Sequence, residues 1–457
     1  MVHRALCKVR ASHMHIEPGT EITLDIEKPA AGGWMLARHE GRVVLVRGAI
    51  PGERVRARID RVGRGVAYAD GVDVLTASPD RRDAALDWRC GGNVFAHIAY
   101  ERQRRLKGEI IQDAFRRIGR QPLAAPPEVI ASPERGYRMR ARLHARGARL
   151  GFFREGTHEL CDAGSTGQLL PETGAWIAAA EQFLARGRVT GLLGMEIAEN
   201  MHGDQRACHL ELQAGIDPSR FAPLAAAGSL TGLSAARADR PGGETLAGVP
   251  VIGDVLQVRP GDPATALRLR RDVRAFFQGN RYLLEPLVRH VVTLVPPGPV
   301  VDLFAGVGLF GLSLAAIGSE AVTLVEGDRV SGQWLRENAE PFGTRVRVES
   351  RSVESFLRDG GGAAKGEGGR RKGTPGTFII DPPRTGLSKD ALASIIRYRR
   401  ARLVYVSCDV ATLARDTREL LDAGYELGGL TGIDLFPNTA HVETVAVLVR
   451  PALDLAG

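Results

Sequence analysis

The chain has 457 residues, 44% hydrophobic and 25% charged, with 61 Lys+Arg against 53 Asp+Glu for a net charge of +8. That length exceeds what one hydrophobic core holds, so two or three domains are expected, and the composition excludes a disordered or collagen-like chain. No apolar run approaches ~18 residues, which excludes a membrane-spanning helix, and the basic surplus favours a polyanionic partner.

Cys7, Cys90, Cys161, Cys208 and Cys408 are scattered without tight spacing. An odd, sparse set reads as reduced thiols in a cytoplasm and not as a disulfide framework. The first dozen residues carry His3, Arg4, Lys8 and Arg10 but no amphipathic period. They read as a plain terminus, with Met14 a candidate native start.

Short β-like runs occupy residues 14–76, around Ile22, Val44 and Val55, with Gly32-Gly33, Gly48 and Pro51-Gly52 between them. This pattern predicts a small five-stranded barrel of the oligonucleotide-binding type. Arg54, Arg56 and Arg58 alternate along one strand and so share a face, either a phosphate track or a solvated surface. From Ala99 to Ile118 apolar residues recur at helical spacing, ended by Gly119 and Pro122.

Residues 77–275 read as a central mixed α/β domain. Period two from Tyr137 to His144 puts Arg138, Arg140, Arg142 and His144 on one strand face, a candidate RNA contact. The Ala-, Gly- and Arg-rich residues 225–248 read as loop or insertion. From Phe276 strands and helices alternate to the C-terminus, the signature of a Rossmann-like, doubly wound parallel sheet over 276–457. The basic, Gly-rich stretch from Gly360 to Gly376 interrupts it as a surface loop.

In that last region Asp302-Leu303-Phe304-Ala305-Gly306-Val307-Gly308-Leu309-Phe310-Gly311 leaves a strand through glycines, and Glu326 closes the next strand about 20 positions on. A nucleoside site follows from this order. The missing phosphate cradle favours S-adenosylmethionine over NAD or ATP. A later strand ends in Asp381-Pro382-Pro383-Arg384, and another, Leu403 to Ser407, ends at Cys408. Taken alone, Cys408 is either a small buried hydrophobe or a nucleophile.

Together with Phe276-Phe277-Gln278-Gly279-Asn280 and the run from Phe436 to Thr444, these motifs resemble the RNA uracil-C5 methyltransferases, in that family's order. The resemblance implies Cys408 as nucleophile and Glu443 as base, with S-adenosylmethionine held by Gln278, Phe304, Gly306, Gly308, Leu309, Glu326 and Asp381. Arg384 would meet phosphate or base carbonyls. The N-terminal barrel looks like a TRAM domain, which points to 23S rRNA over tRNA. The helix over 99–119 is expected to pack on the catalytic domain.

Two departures stand out. Members with an iron–sulfur cluster use four Cys, where this chain has Ala84, Cys90, Asn93 and Cys161, so no cluster is expected. Val410 stands where the family usually has Pro. The resemblance implies a cytoplasmic, monomeric enzyme acting on RNA; the competing readings are methylation of a tRNA T-loop uridine or of another substrate, and non-catalytic RNA binding.

Overall fold

The computed structural model describes residues 16–83, 86–227, 230–240, 242–361 and 376–451. Most of the Gly-rich stretch expected as a surface loop lies outside the described residues, as do Cys7, Met14 and Ala84. The chain divides into two compact units, residues 1–83 with 97–99, and residues 84–96 with 100–457.

The first unit is a closed barrel in the order Glu21–Pro29, Met35–His39, Arg42–Arg47, Val66–Thr76, Arg54–Val62. Alternation builds it: Ile22, Leu24, Ile26, Val55, Ala57 and Ile59 turn inward and leave Arg54, Arg56 and Arg58 outside. Strand register then sets acids beside this Arg row. Arg54 approaches Asp25, Arg56 and Arg58 share Glu21, and Arg56 also meets Asp73. The row is neutralised where it stands. At the barrel's end the buried Glu53 carboxylate accepts from Arg81 and from the amides of Ile50 and Ser78.

The second unit holds a seven-stranded sheet in the order Gly243–Gly248, Gly232–Arg237, Arg206–Leu212, Leu192–Glu199, Arg140–Arg146, Arg149–Phe153, Leu160–Asp162. Helix Pro171–Arg186 buries Trp176, Ile177, Ala180 and Leu184 in one core with Leu143, Leu150, Met195 and Leu210 of the sheet. Residues 225–248, expected as a loop, supply two of its strands. Their Ala and Gly have low strand propensity, and pairing with Arg206–Leu212 overrides it.

The cysteines need a second correction. Cys90 and Cys161 form a disulfide, with Cα atoms 5.8 Å apart and the two cysteines 71 positions apart in sequence. Wide spacing argued for reduced thiols because sequence distance does not show that the Cys90 turn meets strand Leu160–Asp162.

An eight-stranded sheet follows the order Val346–Ser350, Val322–Glu326, Val300–Leu303, Thr377–Ile380, Arg402–Ser407, Glu443–Val449, Glu426–Ile433, Val129–Ile130. The first five are mutually parallel, and the central ones are continuous apolar runs buried on both faces. The regular alternation stops before the C-terminus, where Glu443–Val449 runs antiparallel to both neighbours. Helix Tyr100–Arg117 places Ile111 and Phe115 in this sheet's core.

Candidate active site

The sheet order explains why distant motifs meet. Strand Val300–Leu303 lies between Val322–Glu326 and Thr377–Ile380, so the chain's winding reverses there and a crevice opens at the carboxyl ends. Phe304, Glu326, Asp381 and Cys408 lie at those ends. Glu443 joins them from the start of the antiparallel strand. The crevice is a cavity of about 800 Å³.

Cys408 is fixed by the turn that carries it. Leu403, Val404, Tyr405 and Val406 are fully buried, and Asp409 caps helix Val410–Asp422 by accepting from the Thr412 amide at 2.8 Å. Ser407 Oγ donates to the Asp409 carbonyl and accepts from the Asp409 amide. The thiol is thus held half-buried between strand end and helix cap. Val410 occupies the first helical position, which suits Pro but does not need it because Asp409 supplies the cap.

Strand register places the partner. Val406 pairs with Val445 and Ser407 with Thr444, so the next facing positions are Cys408 and Glu443. Both line the cavity, with Asp381 and Arg384.

The glycine turn is built for close backbone approach. Phe304, Gly306 and Gly308 all have positive φ, at 63°, 57° and 102°. The Gly306 amide donates to Glu326 Oε2 at 2.8 Å and the Asp328 amide to Glu326 Oε1 at 2.6 Å. Buried Asp302 accepts from the Gly311 amide at 2.8 Å and so anchors helix Leu309–Ala316. Gly308 alone of the expected cofactor residues stands off the cavity wall: a Cβ there would meet Leu312 at 2.4 Å, so its smallness serves packing.

Burial sets the protonation pattern. It pushes the Cys408 thiol up to about 11, helped by the charge of Glu443 and opposed by Arg384. Burial likewise raises Glu443 to about 8, against the pull of Arg384. Asp381 is held well above the usual carboxylate range by burial and by Glu443, and Asp302 rises to about 8 by burial. Gln278 donates to Asp381 Oδ2 at 3.4 Å. A resting thiol and two desolvated carboxyls, Glu443 and Asp381, therefore share one cavity.

Several residues here escaped sequence reasoning. Lys107 is fully buried and donates to Asp434 Oδ1 at 2.5 Å and to the Phe436 carbonyl at 3.0 Å. Gln103 bonds both the side chain and the amide of Asn438. This latch fixes the loop that brings Phe436 to the cavity wall, against Gly279. The available signal was a Gln and a Lys within the apolar stripe of helix Tyr100–Arg117. The Arg face also differs from its reading as wholly cationic: Arg138 bonds Gln168, Arg140 pairs with Glu196, and Arg142 with Glu211.

The chain is similar to known proteins. The tRNA (Uracil-5-)-methyltransferase family matches residues 374–451 and the TRAM domain matches 16–72. A 23S rRNA (uracil(1939)-C(5))-methyltransferase, RlmD, of Methylococcus capsulatus is 32% identical over 456 residues, 95% of this chain and 98% of that protein. RlmD of Acidithiobacillus ferrooxidans is 32% identical over 440 residues, 93% and 96% of the two chains. The crystal structure of Pyrococcus abyssi tRNA (uracil-54, C5)-methyltransferase in complex with S-adenosyl-L-homocysteine matches with a TM-score of 0.73 at 23% identity, covering 93% of this chain and 99% of that one. That likeness shows the fold.

Proposed function

The chain belongs to the RNA uracil-C5 methyltransferases, and we propose that it methylates a uridine of 23S rRNA through a covalent bond from Cys408 to C6 of the base. The observation that carries this reading is the facing pair Cys408 and Glu443 at one cavity.

The residues present fit S-adenosylmethionine. Glu326 is oriented by two backbone amides and, as a carboxylate, retains acceptor sites for ribose hydroxyls. Phe304, Leu309 and Phe310 line apolar space beside it, and Asp381 on the same wall would be favoured in its anionic form by a sulfonium cation. When bound, this cofactor supplies the methyl group as an electrophilic carbon.

The chain's own groups do the rest. Cys408 gives up its proton to solvent as its sulfur adds to C6 and the ring electrons shift, which makes C5 nucleophilic. After methylation Glu443, ionised with the help of Arg384, accepts the C5 proton, and Cys408 departs as a thiolate as the C5–C6 double bond reforms. Arg384 stands beside both groups and opposes the rise of each pKa, so it favours their anionic forms.

A uridine inside a helix would have to be unstacked at a cost of a few kcal/mol, so a loop uridine is the substrate we propose. The barrel and the central sheet supply affinity for RNA. Cys90 and Cys161 are bonded to each other, and we propose an enzyme without an iron–sulfur cluster, working as a cytoplasmic monomer. Mass mapping of 23S rRNA and tRNA from a deletion strain tests the substrate: loss of one 5-methyluridine from 23S rRNA is expected, and loss from the tRNA T-loop instead would overturn it. RNA containing 5-fluorouridine should trap a covalent complex with the wild type and none with Cys408→Ala.

A further inference from the structure

The seven-stranded sheet has one face under helix Pro171–Arg186 and another that continues out of the catalytic cavity. Along strand Arg140–Arg146 alternation puts Arg140, Arg142 and His144 on this second face. Arg140 and Arg142 line the cavity, together with Glu196 of the neighbouring strand. His144 is the next residue outward, about 7 Å beyond Arg142 at the usual strand rise.

His144 does not stand alone. Its imidazole stacks on the ring of Phe153, with centroids 3.8 Å apart and planes 11° apart. His158 meets the same ring edge-on at 5.3 Å and 76°. His144 and Phe153 are half-buried and His158 is exposed, so the array faces solvent. Strand register also sets a glycine on each side of His144, Gly194 and Gly151. Neither glycine puts a side chain beside the imidazole, and a Cβ at Gly151 would meet the Cys161 carbonyl at 2.1 Å, so its smallness also serves the close approach of the neighbouring strand.

We propose that His144, Phe153 and His158 form a second nucleobase site, which stacks an unpaired base of the RNA outside the catalytic cavity. This deepens the proposed function and rests on it for the identity of the RNA. Three features favour a base over other partners. The surface is a cluster of three π-rings, two stacked and one edge-on, and base stacking on aromatic rings tolerates any sequence. It is continuous with the cavity that receives the target uridine. An exposed guanidinium flanks it, Arg142 at 58% side-chain exposure, within reach of a passing phosphate. Arg142 bonds Glu211, so charge there is partly balanced and stacking has to supply the affinity. Burial and the charge of Arg142 push the His144 pKa below its usual value, which keeps the imidazole neutral and suited to stacking.

The test compares wild type, Phe153→Leu, Phe153→Tyr and His158→Ala on two RNAs: a long 23S rRNA fragment and a short target loop of a few nucleotides. Phe153→Leu keeps the apolar volume and removes the π-face; Phe153→Tyr restores the face. RNA affinity is measured by fluorescence anisotropy, independently of turnover, alongside KM. Phe153→Leu should weaken binding of the long RNA about tenfold, with the same rise in KM. Its affinity for the short loop should stay at the wild-type value, and Phe153→Tyr should recover the long-RNA affinity. Equal affinity of wild type and Phe153→Leu for the long RNA overturns the site and leaves the methyltransferase reading intact. A wild type that binds the long RNA through Phe153 but methylates neither RNA overturns the substrate instead.

Discussion

Cys408 and Glu443 stand at facing positions on adjacent antiparallel strands, one step beyond the last paired residues Ser407 and Thr444. Two backbones joined by sheet hydrogen bonds hold the proposed nucleophile and base, so their separation does not depend on a mobile loop. Mechanistic variants should therefore separate the two roles cleanly. Glu443→Gln should lower kcat by ~10²–10⁴-fold and accumulate protein–RNA adduct on a denaturing gel. Cys408→Ser should form no adduct. An adduct that fails to build up in Glu443→Gln would remove Glu443 from the elimination step.

Glu443 also ties stability to pH. Its folded pKa of about 8 lies above the ordinary value of 4.5, so the native state binds the extra proton between those two values. Stability from this group is full below about pH 4.5 and is lost as pH rises toward 8. Glu443→Gln removes this group's share of the dependence and leaves that of Asp302. The variant should match wild type at low pH and exceed it at pH 9 by roughly 2–4 kcal/mol in denaturant unfolding. A stability gap that narrows as pH rises would contradict the assigned burial.

The Cys90–Cys161 bond predicts a thiol count. Among the described cysteines, buried Cys208 and half-buried Cys408 are free. Alkylation of native protein purified without reductant should modify Cys408 and leave Cys90, Cys161 and Cys208 unlabelled. Cys161→Ser should cost about 2–4 kcal/mol, because the bond closes a long loop. Iron and acid-labile sulfide in anaerobically purified protein should be at background, and a stoichiometric cluster would overturn the pairing. A disulfide is unusual in a cytoplasm, so the count is best made on freshly lysed, alkylated cells.

What sequence could show was local chemistry at strand ends. Asp302, Glu326, Asp381 and Cys408 each follow an apolar run, so both their edge and their order were legible before any coordinates. Partners set by folding were not. Lys107 and Asp434 lie 327 positions apart, and Arg56 meets Glu21 only through barrel register. Residues 225–248 misread as loop because Gly and Ala carry no strand signal, and their hydrogen bonds come from a neighbour the sequence does not identify.

The Lys107–Asp434 latch yields the last prediction. Both side chains are fully buried, so removing one charge leaves the other desolvated and unpaired. Burial already lowers the Lys107 pKa against the pull of Asp434. Lys107→Met should cost ~3–5 kcal/mol, and adding Asp434→Asn should recover part of that by neutralising the stranded carboxyl. Phe436 is held at the cavity through this pair, so the double variant should fold yet show a raised KM for RNA, while S-adenosylmethionine affinity, which we assign to Glu326 and the Gly306 turn, stays the same. An equal loss of affinity for RNA and cofactor would mean that the latch supports the whole domain and not the Phe436 wall.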